Sequence, residues 1–474
     1  MRPDSLRVAA ATLFVLAALA PSCRAPRADR TSRPDAPSPP VTVVEAAATR
    51  RQDVTATPAP PAAAPGYRSR LERSGVTWEL LRPARAGRYV NGDWWVVGPV
   101  ELAAITPRCV RTAARVRHGA MVNPDPTRPH QGYDSALAGG AAFSGYRDDL
   151  NVALEVAPTQ PLALSPGTTL VSSVSHDVAG QLPQLERCAL LTVVATPPPA
   201  NAFRPPYCGA DKRARWSADD LDLSVLAQLP PVAGAPAPRA LVAQLERTWL
   251  DHLPGYQRRF LHPSRHMPDY GREIADLVGT AALTLNLDIP SRDKRALLVV
   301  LVQLGLDVYG VVRHGGRFAA NGGSGSGRKL LLLLAGAALR DPQLMTFARA
   351  QGAVFAEDAQ TFYVEETSAG VFNGGHGGYT VDDVGLPEWG NRHADDPSFD
   401  RKGWDSDPYR RCCTANAWVG SVLAARIMGL REAWGHPALF DYLDRYMQTE
   451  EAGQWTRSWS PFCERMWDRY RASF

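Results

Sequence analysis

The sequence lacks the short signatures that would name a chemistry outright. It has no G-x-S-x-G turn and no serine on a strand-to-helix elbow, which excludes a serine hydrolase of that type. No C-x2-C pair occurs among its seven cysteines, so a cysteine-based zinc site is excluded too. The formal charge of +4 is small for 474 residues and does not mark a nucleic-acid binder. The longest N-terminal apolar run, Val8 to Ala20, is too short to span a bilayer as a stable helix. Residues 24–66 are rich in Pro, Ala, Thr and Arg with no aromatic side chain and cannot bury enough apolar area to fold, so they read as a disordered tether.

The apolar run has its own meaning. Arg2 and Arg7 flank it and "PSC" ends it at Cys23, as in a secretory signal. The segment, residues 1–23, resembles a bacterial lipoprotein signal. That resemblance implies lipidation of Cys23 and a lipid anchor in the cell envelope. Pro21 departs from the pattern and leaves cleavage after Ala20, with a periplasmic or extracellular product, as the alternative. Setting Cys23 aside leaves six cysteines, suited to disulfides in an oxidising compartment. Cys109 and Cys188 fall in one region and are expected to pair. Cys412 and Cys413 are neighbours and are each expected to reach elsewhere, with Cys208 and Cys463 available. Buried free thiols are the alternative.

From 67 to 197 the texture is that of strands. "RYVNGDWWVV" alternates around Asn91-Gly92, a hairpin signal, and "NVALEVA", "TTLVSSVSH" and "ALLTVVATP" are further short runs. An antiparallel β-domain is expected. A proline-rich connector follows over 198–237, and from 238 to 474 the period is helical. "ALLVVLVQLGLDVYGVV" and "LLLLLAGAAL" are apolar nearly all round and belong inside a helical layer. Long polar loops at 314–328 and 364–411 interrupt the helices, and loops of that length in a compact domain are usually functional.

Three loops carry candidate residues. In "HPSRHMPDYGREIAD", Asp269, Tyr270, Arg272 and Glu273 stand at a helix start, where a carboxylate is either a first-turn charge or part of a cleft mouth. "GGSGSGRK" imitates a phosphate loop, but Arg328 and Leu330 replace its Lys and Ser/Thr. A glycine loop that approaches a ligand, with Asn321 and Arg328 as donors, is the better reading. The stretch Asn373 to Pro397, "NGGHGGYTVDDVGLPEWGNRHADDP", holds His376, Tyr379, Glu388, Trp389, Arg392 and His393. Its acidic and histidine residues meet no zinc or EF-hand spacing, so no metal or other cofactor is expected. Glu388 beside Trp389 suggests a desolvated carboxyl with a raised pKa.

The helical texture with aromatic polar loops resembles the (α/α)-toroid carbohydrate-active enzymes. The resemblance implies an α+β multidomain chain: an antiparallel β-domain, then an all-α toroid whose loops form a sugar cleft. The seven or eight clear helices are too few for a closed ring, which implies an incomplete toroid or further helices without a clear period. It further implies a polysaccharide partner and cleavage of glycosidic bonds. Hydrolysis would use Asp269 and Glu388 as the carboxylate pair. A lyase would use Tyr270 or Tyr379 with His376 or His393, and Asn321, Arg328 or Arg392 to neutralise a uronate; Arg272 and Trp389 would bind substrate. A non-catalytic glycan-binding lipoprotein is the third reading.

Overall fold

The computed structural model describes residues 66–136, 145–178, 183–320, 322–351, 354–373, 376–390, 402–404 and 408–474. The first part is a curled sheet. Its strands are β1 (Tyr67–Arg73), β2 (Val76–Arg88), β3 (Trp94–Val97), β4 (Val100–Thr106), β7 (Ala120–Val122), β8 (Leu162–Leu164), β9 (Thr168–Ser175) and β10 (Leu185–Val194), while β5 (Val110–Arg111) and β6 (Val116–Arg117) make a separate short ribbon. The order is β7-β9-β10-β3-β2-β4-β8, with β1 also on β2. The long β2 pairs with β4 near its start and with β3 near its end, so one strand serves both halves and the sheet curls into a half-barrel. The Asn91-Gly92 hairpin joins β2 to β3 as its sequence indicates.

The sheet is mixed rather than antiparallel. β10 lies parallel to β3, with Leu191 opposite Trp94. Alternation of apolar residues reports that a segment is a strand and which face is buried, but not the direction of its neighbour.

The helical part contains α1 (Pro238–Leu245), α2 (Gly271–Leu285), α3 (Ser291–Arg313), α4 (Lys329–Ala338), α5 (Pro342–Arg349), α6 (Ala356–Gln360), α7 (Ala415–Ile427), α8 (Arg431–Trp434), α9 (Pro437–Thr449) and α10 (Pro461–Tyr470). Two small sheets interrupt it: β11 (Thr361–Tyr363) with β14 (Pro387–Trp389), and β12 (Phe372–Asn373) with β13 (His376–Gly377). Ten helices among the described residues, two of them of five residues or fewer, do not make an all-α toroid, and that expectation is overturned.

The cause lies in what covers the apolar helices. α3 and α4 are apolar on every side because one core encloses them, and that core also takes Met121, Val171, Leu185 and Leu190 from the β part and Phe203, Tyr207 and Cys208 from the connector. An all-round apolar helix shows that it is enclosed, but not by what. α3 is long and apolar enough to cross a membrane by length and composition, yet most of it is buried in this core.

The cysteine expectations fail as well. Cys109 sits in the sheet's own core and Cys188 in the shared one, and Cys109, Cys188, Cys208 and Cys463 are all buried free thiols. The bond that forms is the one set aside from sequence, between Cys412 and Cys413.

Candidate functional site

The start of α2 is the centre of the site. Tyr270 caps it, and its hydroxyl accepts the Gly323 N–H at 3.0 Å. The glycines of the 322–327 loop serve this contact. A Cβ on Gly271 would stand 2.1 Å from the Gly323 carbonyl, and Gly327 has a φ of +94° with Ala275 Cα where its own Cβ would go. The loop therefore needs glycine to approach the protein's own helix, rather than a ligand.

Arg272, one step into α2, donates to the Cys412 carbonyl at 2.9 Å and lies 3.8 Å over the Trp459 ring. Arg259 pairs with Asp269 at 2.5 Å and stacks near Tyr256 and Tyr270, at 5.2 and 5.1 Å. The disulfide packs with Tyr270, Tyr409 and Trp455. Tyr256, Phe260, Tyr409, Trp455 and Trp459 are all half-exposed. Aromatic faces and two guanidiniums thus share one stretch of surface. Burial pushes the Tyr270 phenol up to about 12, so it carries its proton at neutral pH.

A second group lies on the π-helical turn Arg410–Thr414 that leads into α7. The Glu388 carboxylate, on β14, accepts from Arg445, from Arg410 at 3.4 Å and from the Tyr379 hydroxyl at 3.4 Å. Guanidiniums, not the indole of Trp389, are thus its polar neighbours. Consecutive strand residues face opposite sides. The adjacency that suggested a desolvated acid does not place the two groups against each other.

The sequence candidates separate as follows. Tyr270 and Arg272 come together with Asp269 nearby, Asp269 being tied to Arg259. Tyr379, Glu388 and Trp389 are buried in the second group, with Trp389 in the core. Arg328 is not a ligand donor: it is wholly buried and paired with Asp251 at 2.9 Å, which also accepts from His262. His266 is buried as well. Cys23, Asn321, Arg392, His393 and the side chain of His376 lie outside the described residues.

Arg259, Asp276, Tyr409, Arg410, Trp455 and Trp459 escaped sequence reasoning. Asp276 is half-buried on α2, and its carboxyl is pushed up to about 7 by burial and by Glu273 three residues before it. That i, i+3 acidic pair was a usable signal. The others come from distant segments, and no spacing could have joined them. No group of three or more metal-ligating side chains occurs among the described residues. No protein-family model matches the chain, and searches of curated proteins and of solved structures return no match.

Proposed function

We propose that the chain is an exported protein that binds an acidic polysaccharide across the Tyr256–Arg259–Tyr270–Arg272–Trp459 surface and cleaves it by β-elimination. What carries the reading is the alternation of half-exposed aromatic rings with the Arg259 and Arg272 guanidiniums, which suits flat sugar faces and uronate carboxylates together. Hydrolysis by Asp269 and Glu388 asks for both carboxylates in one cleft, whereas Glu388 is buried in the second group and held there by Arg410 and Arg445. In the elimination, the uronate displaces Asp269 from Arg259 and Glu273 from Arg272, the two guanidiniums neutralise it and acidify its α-proton, and the freed Asp269 carboxylate takes that proton as the C=C bond forms. Tyr270, protonated at neutral pH, gives its proton to the leaving glycosidic oxygen. Export rests on the N-terminal segment, which lies outside the described residues.

Incubation with a panel of neutral and uronate-containing polysaccharides tests this. Ultraviolet absorbance of an unsaturated uronate, from the acidic polymers alone, is the expected result. New reducing ends without that absorbance would turn the assignment to hydrolysis. Binding without any cleavage would leave a glycan-binding protein, and neither binding nor cleavage would remove the glycan reading altogether.

A further inference from the structure

The positive surplus of the chain sits on one hairpin. Between Tyr67 and Arg88, β1 and β2 carry six arginines against two glutamates, a surplus of four. The formal charge of all 474 residues is also +4, so the rest of the chain balances. Arg70 and Arg73 have carboxylate partners, in Glu72 and Asp93. Among the described residues Arg68, Arg82, Arg85 and Arg88 have none, and all four are exposed. Crowded like charge costs stability rather than adding to it.

Part of this charge converges. The Arg68 and Arg88 guanidiniums lie 5.8 and 4.0 Å from the centroid of one ring, that of Trp94. Arg88 donates to the Gly92 carbonyl at 2.7 Å, and a Cβ on Gly92 would stand 3.1 Å from an Arg73 nitrogen. Burial first, then Arg73 and Arg68, hold the Arg88 guanidinium below its ordinary range. From there a line of contacts leads to the loop that enters α2. Arg73 donates to the Glu246 carbonyl at 3.4 Å. The next residue, Arg247, is exposed, has no carboxylate partner among the described residues, and donates to the Arg265 carbonyl at 2.7 Å. Arg265 shares the one carboxylate of Glu186 with Arg187. The Ser264 and Arg265 N–H groups donate to the Leu185 and Glu186 carbonyls at 2.9 and 3.1 Å, which ties this loop to the start of β10. The same loop ends at Asp269 and Tyr270.

The cations of this line are all arginines. Their planar forks grip a carboxylate through two hydrogen bonds, where a lysine would offer only a point charge. A compact anion would meet one end of the line; an extended chain of carboxylates meets its length. We propose that the Arg68–Arg88–Arg247 face is a second binding surface for an acidic polysaccharide, holding a long uronate chain beyond the part seated at Tyr270. That the polymer is a uronate rests on the reading of the Tyr270 surface; the face itself needs no cleavage.

Full-length protein is titrated with alginate, polygalacturonate and hyaluronate, and with the tetrasaccharide of each, in low and in high salt. At least one long polymer is expected to bind saturably and about tenfold or more tighter than its own tetrasaccharide, with high salt removing the difference. Arg68→Gln, Arg88→Gln and Arg247→Gln combined should weaken the long polymer about tenfold and leave the tetrasaccharide as it was. All three side chains are exposed, and an unchanged urea midpoint shows that the variant keeps the fold. Binding of no polymer, equal affinity for polymer and tetrasaccharide, or a folded variant that binds polymer undiminished overturns the proposal, even where cleavage is seen. Phosphatidylglycerol vesicles bound through the same arginines, with no polymer bound, also overturn it and make the face a membrane contact. Tight, salt-sensitive polymer binding that is lost in the variant, without any unsaturated product, supports the face and removes the elimination alone.

Discussion

Arg204 and Arg410 are both shut away from solvent, and they are held in opposite ways. Arg204 donates from Nε to Asp93 at 2.7 Å, from Nη2 to Asp307 at 2.5 Å and from Nη1 to the Pro205 carbonyl at 2.8 Å, so each nitrogen is engaged. With Arg73 also on Asp93, two cations meet two carboxylates. Arg410 has a third of a carboxylate's attention, rings on three sides and two nitrogens idle. A closed charge cluster is structural cement between the connector, the sheet and α3. An open one leaves buried donors unmet. Burial alone does not tell them apart; the inventory of donors and acceptors does.

The largest effect is expected at the closed cluster. Arg204→Met leaves Asp93 and Asp307 buried with too little positive charge, and a loss of about 3–5 kcal/mol in denaturant unfolding should follow. If Arg204→Met and Arg410→Met cost the same, the distinction between closed and open is wrong. Next comes Tyr270→Phe, which removes a hydroxyl that accepts one backbone N–H at the site and leaves the ring in place. Stability should change by only about 1 kcal/mol, while cleavage of acidic polysaccharide should fall on the order of 100-fold or more. A fall in both by equal measure would make Tyr270 a packing residue.

Much of this was legible in advance, for physical reasons. Most strand runs, the Asn91-Gly92 turn and the main helices follow local periodicity and appear where the sequence puts them, whereas "NVALEVA", Asn151 to Ala157, forms turns instead of a strand. Tyr270 and Arg272 were visible because a helix start concentrates polar side chains. What local pattern cannot carry is pairing. The parallel contact of β10 with β3 and the shared core around α3 depend on segments far apart in the chain. Arg328 looked like a ligand donor since its glycine neighbours matched a phosphate loop, whereas Asp251, its partner, lies 77 residues away. Glu388 was misread by adjacency: its polar contacts are Arg410 and Arg445, 22 and 57 residues on.

Glu357 extends the contrast to carboxyls. It is buried, accepts the Gly327 N–H at 2.5 Å through one oxygen, and its other oxygen has no partner. Burial pushes its carboxyl up to about 7. A raised folded-state pKa means that the folded protein holds a proton the unfolded chain has released, so this group's contribution is full below about pH 4.5 and is lost as pH rises through 7. Glu357→Gln is neutral throughout. Its stability should match wild type near pH 4 and exceed it by on the order of 2 kcal/mol at pH 8, measured by urea unfolding. The buried His252 and His266, both lowered to about 4, add stability in the opposite sense as pH rises from 4 to 6.5. They are present in both proteins and cancel in the difference. A gap that is independent of pH would mean that Glu357 is ionised in the fold.

The smallest effect should come from Arg410→Met, measured by urea unfolding, and its smallness is informative. Removing Arg410 leaves Glu388 still paired with Arg445 and Tyr379, so no carboxylate is orphaned. It also deletes two unmet N–H groups, and the methionine fills the space among Trp389, Trp404 and Tyr442 with a group at ease beside rings. These terms oppose one another, and the net change should stay within about 1 kcal/mol of zero. A loss as large as that of Arg204→Met would mean that Arg410 is closed by contacts within the chain, and the contrast with Arg204 would collapse.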